Sequence, residues 1–478
     1  MKALFKKSLC MVLACLMLFG GMAVGASADE VKRISCSMYA DGATSRGFCW
    51  YTLENGNSDL QIVPAIEYLV TGFKNAKSYT GSVEKFRDQY SHKVVVDDLT
   101  AGTRYCYRVG DAAKDMWSDT CTFETDNGDN AFSFITIADV QASSDENFAQ
   151  AAKVMKAALL TQPNAEFVVN LGDFVNDNTN EEWDWYFKNF AFANNNTTLV
   201  PVAGNHDGNI TNKFNTYVFQ NTFCLDESDN QSLEGVYYSF DYGNAHIAVL
   251  NTNDMYPMSQ AQRNWLINDM KNSDAKWKLV FMHRALYAAG KNINKPDTII
   301  LRNTLLPIFD EIDIDFVYAG HDHMYLRTAP VYGEAKTEFE TVTESFRGVS
   351  TTFALNPKGT VHALPSTAGT KRYSVNEDAI YPILEVADVK LSTSDMGGCF
   401  ATTTIDGDYL VYNAYVVDDE TQEISKIDSY AIKKTTTNEA QDSNLDESMT
   451  ASVFNYMLNL FTAIFEMLAS YISMLFNM

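Results

Sequence analysis

The 478-residue sequence predicts an α/β protein, two stacked sheets flanked by helices, with a small β-sandwich in front. Three observations carry this. Residues 29–127 hold short β-branched and aromatic runs separated by turn signals, with no helical period. After the polar stretch Asp126-Asn127-Gly128-Asp129-Asn130 the pattern changes to strands alternating with helices. Finally, five polar blocks each close an apolar run: Asp139 with Gln141, Gly172-Asp173, Gly204-Asn205-His206-Asp207, His283 after Val280-Phe281-Met282, and Gly320-His321-Asp322-His323. Ligands of open α/β sheets bind outside the carboxyl ends of the strands, where these blocks converge.

The chain is too long for one ordinary core, and 46% hydrophobic with 13% aromatic residues indicates packed domains rather than disorder. A formal charge of −25 excludes a phosphate-backbone binder, because nucleic acid is held through Lys and Arg. The acidity serves solubility, and local positive charge must come from bound metal.

In chain order, Lys2, Lys6 and Lys7 precede the apolar run 9–24 and then Ala26-Ser27-Ala28, the pattern of a secretory signal peptide spanning 1–28. The protein is therefore expected to be secreted or on the cell surface. A lipoprotein cleavage before Cys15 would leave too short an apolar stretch. Export permits disulfides, and six cysteines follow residue 28. Runs 46–53, 61–71, 92–97, 103–109 and 121–125 read as the strands of a sandwich. Within it, Asp98-Leu99-Thr100-Ala101-Gly102-Thr103-Arg104-Tyr105 resembles the tyrosine corner of fibronectin type III-like domains. Tyr107-Arg108-Val109-Gly110-Asp111 and Trp117-Ser118 sharpen the likeness to the N-terminal domain of purple acid phosphatases. That resemblance puts Cys36 and Cys49 on the first hairpin and Cys106 and Cys121 on the last, with all three pairings of four cysteines open.

In the second part, 132–137 reads as a strand, 147–160 as a helix, 167–171 as a strand and 181–192 as a helix. Ser259 with Gln262 forms a capping box opening a helix to 271, residues 278–282 are the next strand, and 381–432 is strand-rich. Two histidines at i and i+2 of an extended segment, His321 and His323, point the same way. A Gly-Asp pair alone is a turn, and a lone histidine is usually structural. Four of the seven histidines standing at strand ends outweigh that reading. Carboxylates and amides suit hard cations, imidazole suits borderline ones, and a carboxylate can bridge two ions placed to clamp a phosphoryl displacement.

Residues 131–434 thus resemble a calcineurin-like metallophosphoesterase, and with the sandwich the whole resembles a purple acid phosphatase-like secreted enzyme. The resemblance implies a four-layer α/β/β/α sandwich and two divalent or trivalent ions, Fe, Mn or Zn. It implies hydrolysis of phosphate esters by metal-activated hydroxide. Carried over, Asp139, Asp173 and His323 hold the first ion, Asp173 bridges, and Asn205, His283 and His321 hold the second. Gln141 would add an amide oxygen to the first ion. His206 is the candidate to stabilise the transition state or protonate the leaving oxygen, with Asp207 to orient it, and Arg284, Tyr287, Tyr325 and Arg327 are candidate substrate contacts. Two departures stand out. Gln141 takes the place of the family's His or Gly, and Asn176 that of the tyrosine that colours the purple enzymes, so a purple ferric site is not expected.

Residues 435–449 form a polar spacer, and 450–478 an apolar helix with one polar stripe and no Lys or Arg after Lys434. Membrane anchoring, self-association and packing back on the enzyme stay open for it. The alternative function is a surface binding or adhesion protein with a degenerate metal site. A relic site is expected to have lost a ligand, and only Gln141 is ambiguous.

Overall fold

The computed structural model describes residues 31–208, 217–226, 236–253, 258–376 and 383–435. The leader 1–28 and the tail from 436 lie outside the described residues.

The first part is a β-sandwich. Strands β1 (Lys32–Met38), β2 (Arg46–Thr52), β3 (Asp59–Pro64), β4 (Lys77–Thr80), β5 (Ser82–Phe86), β6 (Gln89–Val96), β7 (Arg104–Asp111), β8 (Met116–Trp117) and β9 (Cys121–Glu124) divide into two sheets. One carries the order β1-β2-β6-β5, and the other β4-β3-β7-β8 with β9 on β7. Phe48, Trp50, Leu60, Tyr107, Val109 and Phe123 fill the space between them. The Tyr105 hydroxyl accepts from the Thr100 backbone N–H at 2.8 Å, so the tyrosine corner is formed.

Two expectations fail here. Residues 61–71 are not one strand: β3 stops at Pro64 and helix α1 (Ala65–Thr71) follows, ended by Gly72 at φ 58°. Its Ile66, Leu69 and Val70 face solvent, so the apolar run that read as a buried strand is a short exposed helix. The cysteines Cys36, Cys49, Cys106 and Cys121 are all free. For the pairs within each hairpin the pleat explains this. Cys36 stands opposite Phe48 while Cys49 stands opposite Ser35, and Cys106 opposite Thr122 while Cys121 is opposite Tyr107. A one-residue offset puts each pair on opposite faces of its sheet.

The second part holds β10 (Ala131–Ile137), α2 (Asp145–Thr161), β11 (Phe167–Asn170), α3 (Asn180–Asn194), β12 (Thr198–Pro201), α4 (Tyr217–Thr222), β13 (Tyr238–Tyr242), β14 (Ala245–Leu250), α5 (Gln260–Asn272), β15 (Trp277–Arg284), α6 (Pro296–Glu311) and β16 (Phe316–Gly320). Then come β17 (Tyr325–Thr328), β18 (Val331–Tyr332), β19 (Ala335–Lys336), β20 (Glu340–Phe346), β21 (Val349–Leu355), β22 (Val361–Pro365), α7 (Ile383–Val386), β23 (Ala387–Leu391), β24 (Gly398–Asp406), β25 (Tyr409–Val417) and β26 (Ile424–Lys433). Thr179 and Glu182 close a full capping box on α3. At α5 only the Ser259 half forms, accepting from Gln262 N–H, while the Gln262 carboxamide bonds the Asn251 backbone through both ends.

One sheet runs β20-β21-β26-β25-β24-β10-β11-β12 and the other β13-β14-β15-β16-β22-β17-β23. Their facing sides interlock through Phe134, Phe167, Phe281, Tyr318 and Tyr412. Helices α2 and α3 lie on the outer face of the first, α5 and α6 on that of the second, giving four layers. Strands β10, β11 and β12 are parallel, as are β14, β15 and β16.

The two parts share a sheet. Strand β1 pairs in parallel with β12 at Ser37 and Leu199, so the first sheet runs on into the sandwich as twelve strands. Beneath the joint lies the fully buried Arg46, donating to Thr198 Oγ1 and to the carbonyls of Gly42, Ser45 and Glu124. Among the described residues no helix is long and apolar enough to cross a membrane.

Candidate metal centre

Asp139 follows β10, Asp173 follows β11, Asn205 and His206 follow β12, His283 ends β15, and His321 and His323 follow β16. Three of them, Asp139, Asp173 and His321, sit at φ 51°, 55° and 73°, the left-handed region that non-glycine residues avoid and that clusters at functional sites. Close approach of the loops needs glycine at 204, where a Cβ would lie 2.0 Å from the Asp173 amide nitrogen.

His321 and His323 reach the site by another route than strand alternation. Strand β16 ends at Gly320, and two successive three-residue turns follow, Asp322 N–H to Gly320 O at 2.9 Å and Met324 N–H to Asp322 O at 2.6 Å. The two rings thereby enter different donor sets. Asp322 between them is buried and accepts from Gly290 N–H and Asn292 Nδ2.

Two groups of donor atoms form, Asp139, Asp173 and His323 in one and Asp173, His283 and His321 in the other, each with its atoms within 4.8 Å of one another. Asn205 Oδ1 lies 3.2 Å from His283 Nε2, which itself is 3.3 Å from Asp173 Oδ1. The histidines are oriented for ligation. His283 Nδ1 faces the Leu171 carbonyl at 2.8 Å and His323 Nδ1 the Lys371 carbonyl, so in each ring Nε2 is the nitrogen turned to the donor set. Tyr373 stacks on His323 at 4.5 Å.

Burial works against the Asp173 anion, yet the His283 and His206 rings outweigh it and hold the carboxyl well below the usual range. Burial, Arg284 and His283 keep His321 well below the ordinary histidine value, so its ring is neutral and able to ligate. Mixed carboxylate, amide and imidazole donors in two sets that share one carboxylate fit a pair of metal ions.

His206 is only partly buried, and its Nδ1 faces the Asn176 carbonyl at 2.5 Å. Asp207, expected to orient it, does something else. It accepts from the backbone N–H groups of Gly204, Asp173 and Phe174 at 2.8–2.9 Å and clamps the two loops together. Gln141, expected as an amide-oxygen ligand, turns that oxygen to Lys371 Nζ at 2.8 Å.

The expected substrate contacts are mostly structural. Tyr325 and Arg327 are buried and both bond Asp428. Tyr287 is wholly buried against His362. Arg284 alone reaches the donors, with Nη1 3.4 Å from His321 Nε2, held by Asn253 and Asp297. Sequence reasoning missed Lys371 and Tyr373, and saw Asn176 only as a replaced tyrosine. The carbonyls of Asn176 and Lys371 carry no sequence signature, and Tyr373 follows no strand that the pattern announced.

Two sheets thus present their carboxyl ends to one shared aspartate. Residues 132–325 match the family model of the calcineurin-like phosphoesterases and residues 31–125 that of the purple acid phosphatase N-terminal domain, and these parts of the chain belong to those families. An uncharacterized protein of Mycobacterium tuberculosis is 28% identical over 209 residues, 40% of this chain and 39% of that protein. Purple acid phosphatase 21 of Arabidopsis thaliana is 24% identical over 58% of this chain and 63% of its own length. The chain thus spans less than two thirds of either relative. The purple acid phosphatase PPD1 from yellow lupin seeds shares the fold, with a TM-score of 0.70 at 15% identity over 87% of this chain and 79% of that one.

Proposed function

We propose that the protein is an exported phosphohydrolase that cleaves phosphate esters with two metal ions, one held by Asp139, Asp173 and His323 and the other by Asp173, Asn205, His283 and His321. The sharing of Asp173 by both donor sets is the observation that supports this most. Bound there, two cations supply Lewis acidity, lowering the pKa of a water and drawing charge from phosphoryl oxygens.

The chain's own groups do the rest. With Nδ1 turned to the Asn176 carbonyl, His206 would hand a proton to the leaving oxygen through Nε2. Asp207 keeps the loops of Asp173 and Gly204 in register, and Asn253 and Asp297 fix Arg284 beside His321. Export rests on the leader 1–28. The units proposed are 29–127, 131–434, the spacer 435–449 and the tail 450–478.

The test is a panel of phosphate monoesters and diesters assayed with metal-stripped protein and added Mn²⁺, Fe²⁺ or Zn²⁺. Stripping is expected to abolish hydrolysis and an added ion to restore it. Activity indifferent to chelation, or no ester cleaved with any ion, overturns the reading.

A further inference from the structure

A carboxamide has one accepting end and one donating end, and at Gln141 the neighbours decide which faces where. Lys371 Nζ carries only donors and lies 2.8 Å from Oε1, while Asp173 Oδ2, an acceptor, lies 2.9 Å from Nε2. The flipped amide would set donor against donor and oxygen against carboxylate, so the orientation is the only one this pair of neighbours admits.

The two oxygens of Asp173 then have separate duties. Oδ1 accepts from His206 N–H at 2.8 Å and faces His283, in the second donor set. Oδ2 accepts from Gln141. A carboxylate that must serve two ions needs its rotation about Cβ–Cγ fixed, and these two bonds, one on each oxygen, fix it. Lys371 contributes twice, because its main-chain oxygen also receives His323 Nδ1–H, and Tyr373 two residues on covers the same ring.

We infer that Gln141 and Lys371 are a positioning pair and not metal ligands: Lys371 holds the Gln141 carboxamide so that it orients the bridging Asp173, which leaves the first ion with Asp139, Asp173 and His323 as its side-chain donors among the described residues. This rests on the dinuclear reading above and adds which residues shape the first site.

The experiment is Mn²⁺ titration of the metal-stripped full chain by calorimetry, with bound manganese counted by elemental analysis, for wild type, Gln141→Ala, Lys371→Met, Lys371→Arg and the double variant Gln141→Ala/Lys371→Met. Lys371 is exposed, so its substitution does not endanger the fold. Wild type is expected to take up two ions. Gln141→Ala and Lys371→Met should each weaken one of the two by about tenfold, the double variant no more than either single, and Lys371→Arg should stay near wild type. A Lys371→Met protein with both affinities unchanged, losses that add in the double variant, or a metal-loaded crystal structure with a Gln141 oxygen within about 2.3 Å of an ion, overturns the inference. Wild type binding fewer than two ions overturns the dinuclear reading first and this inference with it.

Discussion

The two donor sets share Asp173 and differ in what holds them. In the second, support comes from the strand ends themselves: Leu171, directly after β11, fixes His283, and Asn205 after β12 lies against the same ring. In the first, His323 depends on residues 371–373, a loop far along the chain, and on Thr393, whose hydroxyl donates to the His323 carbonyl. Similar ligand chemistry therefore stands on a rigid frame on one side and on a loop on the other. Loops open at lower free energy than core strands, so the first ion should be the more exchangeable.

The largest effect should come from the residue the two sets share. Asp173→Asn keeps a side chain that tolerates φ 55°, so the fold should survive while both ions weaken and turnover falls by several orders of magnitude. Circular dichroism with elemental analysis checks this, and undiminished hydrolysis by the folded variant would break the comparison at its root. Next comes a residue in neither set. His206→Ala should keep two ions and lose ~10²–10⁴ in rate, the scale of general acid–base help. Loss of metal along with rate would move His206 into a donor set.

The smallest effect lies outside both sets and serves as a control. His246 donates through both ring nitrogens, to Asp241 at 2.7 Å and Asp269 at 2.9 Å. Burial opposes its charge, but the two carboxylates prevail and raise its pKa to about 9. A raised folded-state pKa gives stability that is full below the unfolded value near ~6.5 and is lost as pH rises through about 9. With Asp241 largely solvated, the contribution is on the order of 1–2 kcal/mol. Denaturant unfolding of wild type and His246→Asn should show a gap that narrows between pH 6.5 and 9, whereas metal content stays equal. A gap independent of pH would mean that His246 acts through packing alone.

Much of this was legible from residues. Asp139, Asp173, Asn205, His206, His283 and His321 each close an apolar run, and that punctuation marks the carboxyl ends of parallel strands whatever the loops do. Helices α2 and α3 start and stop within two residues of expectation because Ser144 and Thr179 cap them. What failed to show depends on geometry that residue type does not encode. The cysteine offsets follow from register, the turns at His321 and His323 from backbone angles, and the fixing of His206 and His323 from carbonyl oxygens that any residue offers. Tyr325 and Arg327 misled for a different reason, since their partner Asp428 lies a hundred residues further on.

The pairing of β1 with β12 has a bearing on how the protein can be dissected. A strand left at a sheet edge is a row of unpaired N–H and C=O groups, a template for another chain. Cutting at Asp126–Asn130 would retain every donor of both metal sites yet strip β12 of its neighbour at Leu199 and uncover a sheet edge. The phosphoesterase part is therefore not a portable module. Its sandwich acts as a built-in edge guard, and a fragment lacking it should fail first by intermolecular strand pairing, with its chemistry still written into every loop.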